Sequence, residues 1–250
     1  MHILSHFVDS TTQLPLSLSN MKVVCEAPLS PDRHYVLDGG FSTQLGRYVA
    51  GVDQDPLWTA RSLVDNKEAV VKVHKDFLSA GADIILTCSY QASKELFKEE
   101  LGLSREETYG HIVDSARLAW RAVHETGGVP GHTLVGGSVG PYGACLHDGS
   151  EYTGSYLQGE RPVSVEELHS WHQDRVQALQ EGGVSFLALE TFPVSLEVVA
   201  VMDCVAEAGL LPVWVTFTLK DDQHLAGGET IAQAVRAVTS HRLARGETSH

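Results

Sequence analysis

Two carboxylates stand where short apolar runs end. Asp38 follows Tyr35-Val36-Leu37 and precedes Gly39-Gly40, and Glu190 follows Phe186-Leu187-Ala188-Leu189 and precedes Thr191. Burying an ionised carboxylate is expensive unless a cation or a hydrogen-bond donor meets it. A turn cap at Asp38 and an arginine partner for Glu190 would explain each residue alone. Taken together, the pair reads as a site for an ammonium group. Other apolar runs end in Thr87-Cys88-Ser89-Tyr90-Gln91-Ala92, in Ser138-Val139-Gly140-Pro141-Tyr142-Gly143 and in Thr216-Phe217-Thr218. Such ends are where parallel α/β folds gather their chemistry, because the βα loops converge on one open face.

The elements that must position these residues follow a βαβα rhythm. Tyr35–Asp38, Asp83–Thr87, Thr133–Ser138, Ser185–Glu190 and Pro212–Phe217 read as buried strands separated by helical patterns. Ser104 with Glu107, and Ser164 with Glu167, fit the S-x-x-E box that opens a helix. Gly81, Gly127-Gly128, Gly182-Gly183 and Gly209 fall just past helical patterns, where a left-handed residue turns the chain. Leu168, His172, Val176 and Leu179 form an apolar stripe at helical spacing, with Glu166, Asp174 and Arg175 off it. About five βα units can be counted. Periodicity alone leaves a barrel and an open doubly wound sheet undecided, and no G-x-G-x-x-G follows a strand.

Composition narrows the partners. Eighteen Lys and Arg against 32 Asp and Glu give a formal charge of −14, which disfavours nucleic acid or an anionic membrane as partner and favours small molecules. No run approaches the roughly 18 apolar residues of a membrane span. Cys25, Cys88, Cys145 and Cys204 are widely spaced without a C-x-x-C pair, so a reducing, cytoplasmic location is expected and neither disulfides nor a thiolate-rich metal site is. Residues 1–20 contain no Lys or Arg, unlike a secretory signal or a mitochondrial presequence, and are read as a loose extension with Met21 as a second possible start.

The motifs Asp38-Gly39-Gly40-Phe41-Ser42-Thr43-Gln44-Leu45, Thr87 to Ala92, Gly137 to Ala144, Asp148-Gly149-Ser150-Glu151-Tyr152 and Leu189-Glu190-Thr191 occur in this order. Together they resemble homocysteine S-methyltransferases, in particular the branch using S-methylmethionine or S-adenosylmethionine, over roughly Tyr35 to Val238. The resemblance implies an α/β fold of the incomplete TIM (β/α)8 type. It divides the chain into a flexible extension (1–30), a partial homocysteine-binding barrel (31–239) and a non-family tail (240–250). It implies that Asp38 and Glu190 hold the homocysteine ammonium, with backbone N–H groups near Gly39 and Gly40 on its carboxylate. Thr87 and Tyr90 would line the same pocket, with Tyr142, Asp148 and Tyr152 nearer a sulfonium methyl donor.

The same resemblance implies a zinc ion that turns the homocysteine thiol into a thiolate. The family's zinc cysteines, an Asn-Cys pair and a Gly-Gly-Cys-Cys, are not in this sequence. The expectation is therefore a family member whose 250 residues bind no zinc and transfer no methyl group, or a non-catalytic relic that binds an amino acid or a protein. Cys88 and Cys145 are not expected to substitute, and His169 and His172 read as packed helix residues. A competing motif, Gly136-Gly137-Ser138-Val139-Gly140, matches the G-x-S-x-G elbow of serine hydrolases. That elbow must open a helix, and Pro141, Gly143, Gly149 and Gly154 argue for a loop.

Overall fold

A computed structural model describes residues 3–6, 29, 33–128, 132–209 and 211–244. In chain order the elements are β1 (Ile3–His6), α1 (Phe41–Leu45), α2 (Ser62–Asp65), α3 (Lys67–Ser79), β2 (Ile84–Leu86), α4 (Lys94–Leu101), α5 (Arg105–Glu125), β3 (Leu134–Val139), α6 (Val165–Glu181), β4 (Phe186–Phe192), α7 (Ser195–Ala208), β5 (Val213–Thr218) and α8 (Ile231–Ala244). Short 3-10 turns occupy Trp58–Arg61, Tyr142–Cys145, Ser150–Tyr152 and Ser155–Leu157. Apart from residues 3–6 and 29, the expected extension (1–30), with Met21 and Cys25, lies outside the described residues, as does the tail beyond Ala244.

The helix boundaries have local causes. In α5 the Ser104 hydroxyl accepts from Glu107 N (3.2 Å) while the Glu107 carboxylate accepts from Ser104 N (2.8 Å). Ser164 and Glu167 repeat the exchange at the start of α6. Both boxes satisfy N–H groups that the helix leaves unpaired. After the helices, Gly81, Gly127, Gly183 and Gly209 take φ of +100°, +74°, +81° and +118°, a region that costs a side-chain-bearing residue free energy.

Strands β2, β3, β4 and β5 pair in parallel in that order, and Leu37 adds a parallel bridge to Ile84 outside β2. Helices from the intervening segments pack on one face, where Ile85, Val135, Val139, Leu187 and Leu189 join the main core. Alternate residues Ile84, Leu134, Phe186 and Ala188 form a second cluster on the other face. Because the pleat has a period of two, Ser138 and Glu190 stand on that second face, at the carboxyl ends of β3 and β4. This is the barrel-type arrangement of parallel strands with helices outside, in a sheet that does not close.

Two strands differ from the buried runs expected. Tyr35–Asp38 reduces to the single bridge, with Val36 56% and Leu37 43% exposed, and β5 is half-buried along its length. They stand at opposite ends of the parallel order, so each has a parallel neighbour on one side only. On its other side β5 is met by β1, which pairs antiparallel from Ile3↔Thr218 to His6↔Val215. On α6 the stripe Leu168, His172, Val176 and Leu179 is buried, but so are Asp174 and Arg175, which the pattern placed off it. Arg105 holds Asp174 through two bonds (2.7 and 2.6 Å), and Arg175 reaches inward to backbone carbonyls.

Removing the cap hydroxyl in Ser164→Ala is expected to lower unfolding free energy by about 1 kcal/mol. Urea titration followed by circular dichroism measures it, and an unchanged midpoint would show that the box contributes nothing.

Candidate functional site

Asp38 is fixed from two sides. Its own N–H donates to Ile84 O (2.9 Å), and its Oδ2 accepts from Leu86 N (2.8 Å), so the bridge beside β2 aims the carboxyl across the strand ends. Glu190 is aimed by a distortion in β4. The β4–β5 register shifts between Leu189 and Phe192, and Thr191 adopts φ +67°. A β-branched residue in this region carries strain on the order of 1–3 kcal/mol. Two threonines of β5 hold it there: Thr191 N donates to Thr216 Oγ1 (3.1 Å), and Thr218 Oγ1 donates to Thr191 O (3.0 Å). Bulges of this kind re-aim side chains at the rims of barrels. The Ser138 hydroxyl completes the support by donating to Glu190 Oε2 (2.7 Å).

Among the described residues neither carboxyl forms an ion pair. Burial pushes Asp38 from 3.8 up to about 7, opposed by the Leu86 N–H and reinforced by the charge on Glu190. Burial likewise raises Glu190 from 4.5 to about 7, opposed by the Ser138 hydroxyl. Two shielded carboxyls that resist ionisation are groups whose charged forms a neighbouring cation would favour.

Thr87 and Ser89 tie the neighbouring strand ends together. Their hydroxyls lie 2.7 Å apart, Ser138 N donates to Thr87 Oγ1 (2.9 Å), and Ser89 Oγ donates to Ser138 O (2.7 Å). Thr87 is thus buried and engaged with the frame of the site. Tyr90 faces the carboxyls: its hydroxyl is hydrogen-bonded with the Thr191 side chain and lies in electrostatic reach of Glu190, Tyr152 and Glu151. Gly39 and Gly40 are exposed, and Gly40 caps α1 with no side chain accepting from the first-turn N–H groups. A Cβ on Gly39 would lie 3.1 Å from the Phe77 ring, so the backbone passes close to α3 there.

The residues expected on the donor side divide. Tyr152, 49% exposed, joins the group around Tyr90. Asp148 is exposed, and the Ser150 hydroxyl together with Ser150 N (2.9 Å) donates to its carboxyl, which shapes the turn and holds it below the usual range. Tyr142 lies elsewhere: its ring packs on Tyr156 and Trp171 and borders a cleft with Ser93, Glu95 and Glu167.

Several supporting residues gave no sequence signal as functional groups. Arg175 is buried and donates to Tyr90 O (2.7 Å), Gly140 O (3.1 Å) and Ser89 O (3.4 Å), with its guanidinium 4.5 Å from the Trp171 ring centre. Glu197, fully buried, accepts from Tyr142 N (2.6 Å), from the Tyr156 hydroxyl and from His172 Nε2 (2.8 Å). Burial pushes His172 down to about 4, so the ring is neutral and donates. His169 pairs instead with Glu207 (3.2 Å).

The thiols do not fit a metal. Burial pushes Cys88 up to about 12 and Cys145 up to about 11, whereas a ligand must be a thiolate. Among the described residues no three His, Cys, Asp or Glu side chains come together as ligands. Ser138 is engaged with Glu190, no histidine bonds to it among the described residues, and 3-10 turns rather than a helix follow it, so the geometry lends no support to a nucleophile elbow.

Fold and site together define a (β/α)-barrel-type protein with two shielded carboxyls at the carboxyl ends of its strands. The family profile described as homocysteine S-methyltransferase matches residues 35–245. A betaine-homocysteine S-methyltransferase of Drosophila melanogaster is 45% identical over 206 residues, covering 78% of this chain and 61% of that protein. Homocysteine S-methyltransferase 1 of Brassica oleracea var. italica is 40% identical over 212 residues, covering 81% and 64%. The homocysteine methyltransferase MmuM of Escherichia coli, solved in a metallated form, superposes with a TM-score of 0.75 at 36% identity, covering 84% of this chain and 72% of that one. The chain belongs to the homocysteine S-methyltransferase family. It spans less than two thirds of the length of these two curated relatives.

The raised carboxyls set a pH dependence. Below about pH 4 the pair is protonated in both folded and unfolded states and costs nothing; from about pH 4 to about 7 the unfolded carboxyls ionise while the folded ones resist, so stability falls. Glu190→Gln is expected to flatten this decline and to raise the melting temperature at pH 8. Identical pH profiles for the two proteins would show that Glu190 is not held protonated by the fold.

Proposed function

We propose that this chain carries the homocysteine-recognition part of a methyltransferase site, within a barrel portion spanning about residues 31–239. The observation that supports it most directly is the Asp38–Glu190 pair, two shielded carboxyls without a cationic side chain among the described residues. The substrate ammonium supplies that cation. The exposed N–H groups at Gly39 and Gly40 receive the substrate carboxylate, Tyr90 walls the pocket, and Thr87 holds the strand ends at the correct separation. The methyl acceptor is then the homocysteine sulfur, and the donor, S-methylmethionine or S-adenosylmethionine, lies toward Tyr152 and the turn begun by Asp148. Tyr142 supports that turn from behind.

A thiol near its ordinary pKa is a weak nucleophile at neutral pH, and in this family a metal ion is the activator implied. Cys88 and Cys145 are buried and held in the thiol form, so neither supplies the activation. The polypeptide as it stands is therefore a binder of homocysteine without appreciable turnover, which merges with the reading of a non-catalytic amino-acid receptor. Partner proteins enter this reading nowhere.

Binding should expel protons, because an ammonium between the carboxyls favours their ionised forms. Calorimetric titration of homocysteine at pH 7, in buffers of different ionisation enthalpy, is expected to show release of about one proton per ligand and no effect of chelator. The analogue 4-mercaptobutyrate, which lacks the amino group, should bind at least about tenfold more weakly. Equal affinity for both compounds, or none for homocysteine, would overturn the assignment of the pair.

A further inference from the structure

Glu151 stands in the turn Ser150–Tyr152, which packs against the end of β4. Its Oε2 is shielded from solvent and accepts no hydrogen bond among the described residues. Its charge acts on the hydroxyls of Tyr90 and Tyr156, and the Tyr90 hydroxyl in turn lies in reach of Glu190. The backbone there is tightly held: a Cβ on Gly143 would come within 2.6 Å of Glu151 N, and Gly154 N donates to Ser150 O (2.7 Å). The carboxylate thus sits in a tightly held turn within electrostatic reach of Tyr90, whose hydroxyl is also in reach of Tyr152 and Glu190.

A shielded carboxylate oxygen without a donor is costly unless something positive reaches it. A primary ammonium would be drawn to the Asp38–Glu190 pair, where two carboxyls converge. An onium centre, a sulfonium or quaternary ammonium, has no N–H to donate. It is recognised by charge and by aromatic faces alone. Betaine, named in the Drosophila relative's description, belongs to that chemical class.

We propose that Glu151 is the specificity-determining residue for an onium methyl donor, setting its carboxylate and the rings of Tyr90 and Tyr152 around the positive centre that carries the methyl group. This rests on the placement of homocysteine given above. Methyl transfer breaks the donor's bond from sulfur or nitrogen to the methyl carbon, leaving the electron pair on the donor. A sulfur electron pair of the homocysteine thiolate, whose proton has gone to solvent, forms the new bond, and the donor's positive charge and the thiolate's negative charge cancel. A fixed carboxylate therefore favours the charged donor over its neutral product, and it stabilises the ground state more than the transition state. Its effect is selectivity and product release, not an increased chemical rate.

S-methylmethionine and methionine share the amino acid end and differ in the charge at sulfur, so their affinity ratio isolates the contribution of Glu151. Titration calorimetry on the 250-residue chain is expected to show S-methylmethionine bound at least about tenfold more tightly than methionine. Glu151→Gln should bring the ratio close to one with homocysteine affinity unchanged, and Glu151→Asp should keep most of the preference, a rescue that a packing role would not give. A ratio near one in the native chain, or a preference preserved in Glu151→Gln, overturns the role of Glu151 while homocysteine binding persists. Loss of homocysteine binding by the native chain overturns the parent reading and this one with it.

Discussion

The structure turns on a charge imbalance. Asp38 and Glu190 converge at the carboxyl ends of parallel strands, are shielded from water, and meet no cationic side chain among the described residues. Left to themselves they remain partly protonated, because ionising either one in a shielded site near the other is unfavourable. The surroundings supply orientation instead of neutralisation. One N–H from Leu86 and one hydroxyl from Ser138 hold the two carboxyls, and a strained threonine turns Glu190 out of the regular pleat. Strain of that kind persists only where neighbours over-determine it, and Thr216 and Thr218 do so from β5.

Two other buried charges, Arg175 and Glu197, are satisfied, and the contrast is informative. Arg175 spends its guanidinium on carbonyls from the loops after β2 and β3, drawing Tyr90 and Gly140 together above the helix face. Glu197 gathers three donors from a backbone N–H, a tyrosine and a histidine, pinning the excursion that runs from Tyr142 to Tyr156. Both hubs lie outside the ring of residues facing the ammonium receptor. They fix the loops without neutralising Asp38 and Glu190, which stay without a cationic side-chain partner among the described residues.

Much of this was legible in the sequence because it depends on local rules. The capping boxes at Ser104 and Ser164, the glycines that end helices and the apolar runs of β2, β3 and β4 are set by neighbours a few residues away. The carboxylates at strand ends were legible for a global reason: a parallel sheet sends every such end to one face. What was hidden depends on partners distant in sequence. Asp174 and Arg175 looked like solvent-facing charges until Arg105, 69 residues away from Asp174, and the carbonyls of the loops supplied partners. Thr191 carries no pattern that announces a left-handed residue, since its conformation is imposed from β5. The exposure of Val36 and Leu37 likewise reflects which strands stand beside them, and apolar character alone does not report that.

Recognition and activation of an amino acid thiol make opposite demands on a protein. Holding the ammonium needs shielded carboxyls, and shielding raises every acid around it, thiols included. Cys88 and Cys145 show the same effect, since burial pushes both thiols away from ionisation as it does Asp38 and Glu190. A substrate thiol brought to the same region would be raised for the same reason. An activator must therefore bring enough positive charge to reverse the shift, while staying far enough from Asp38 and Glu190 that it does not neutralise them. On the reading proposed above, the residues present here meet the first demand, recognition, and their own chemistry opposes the second.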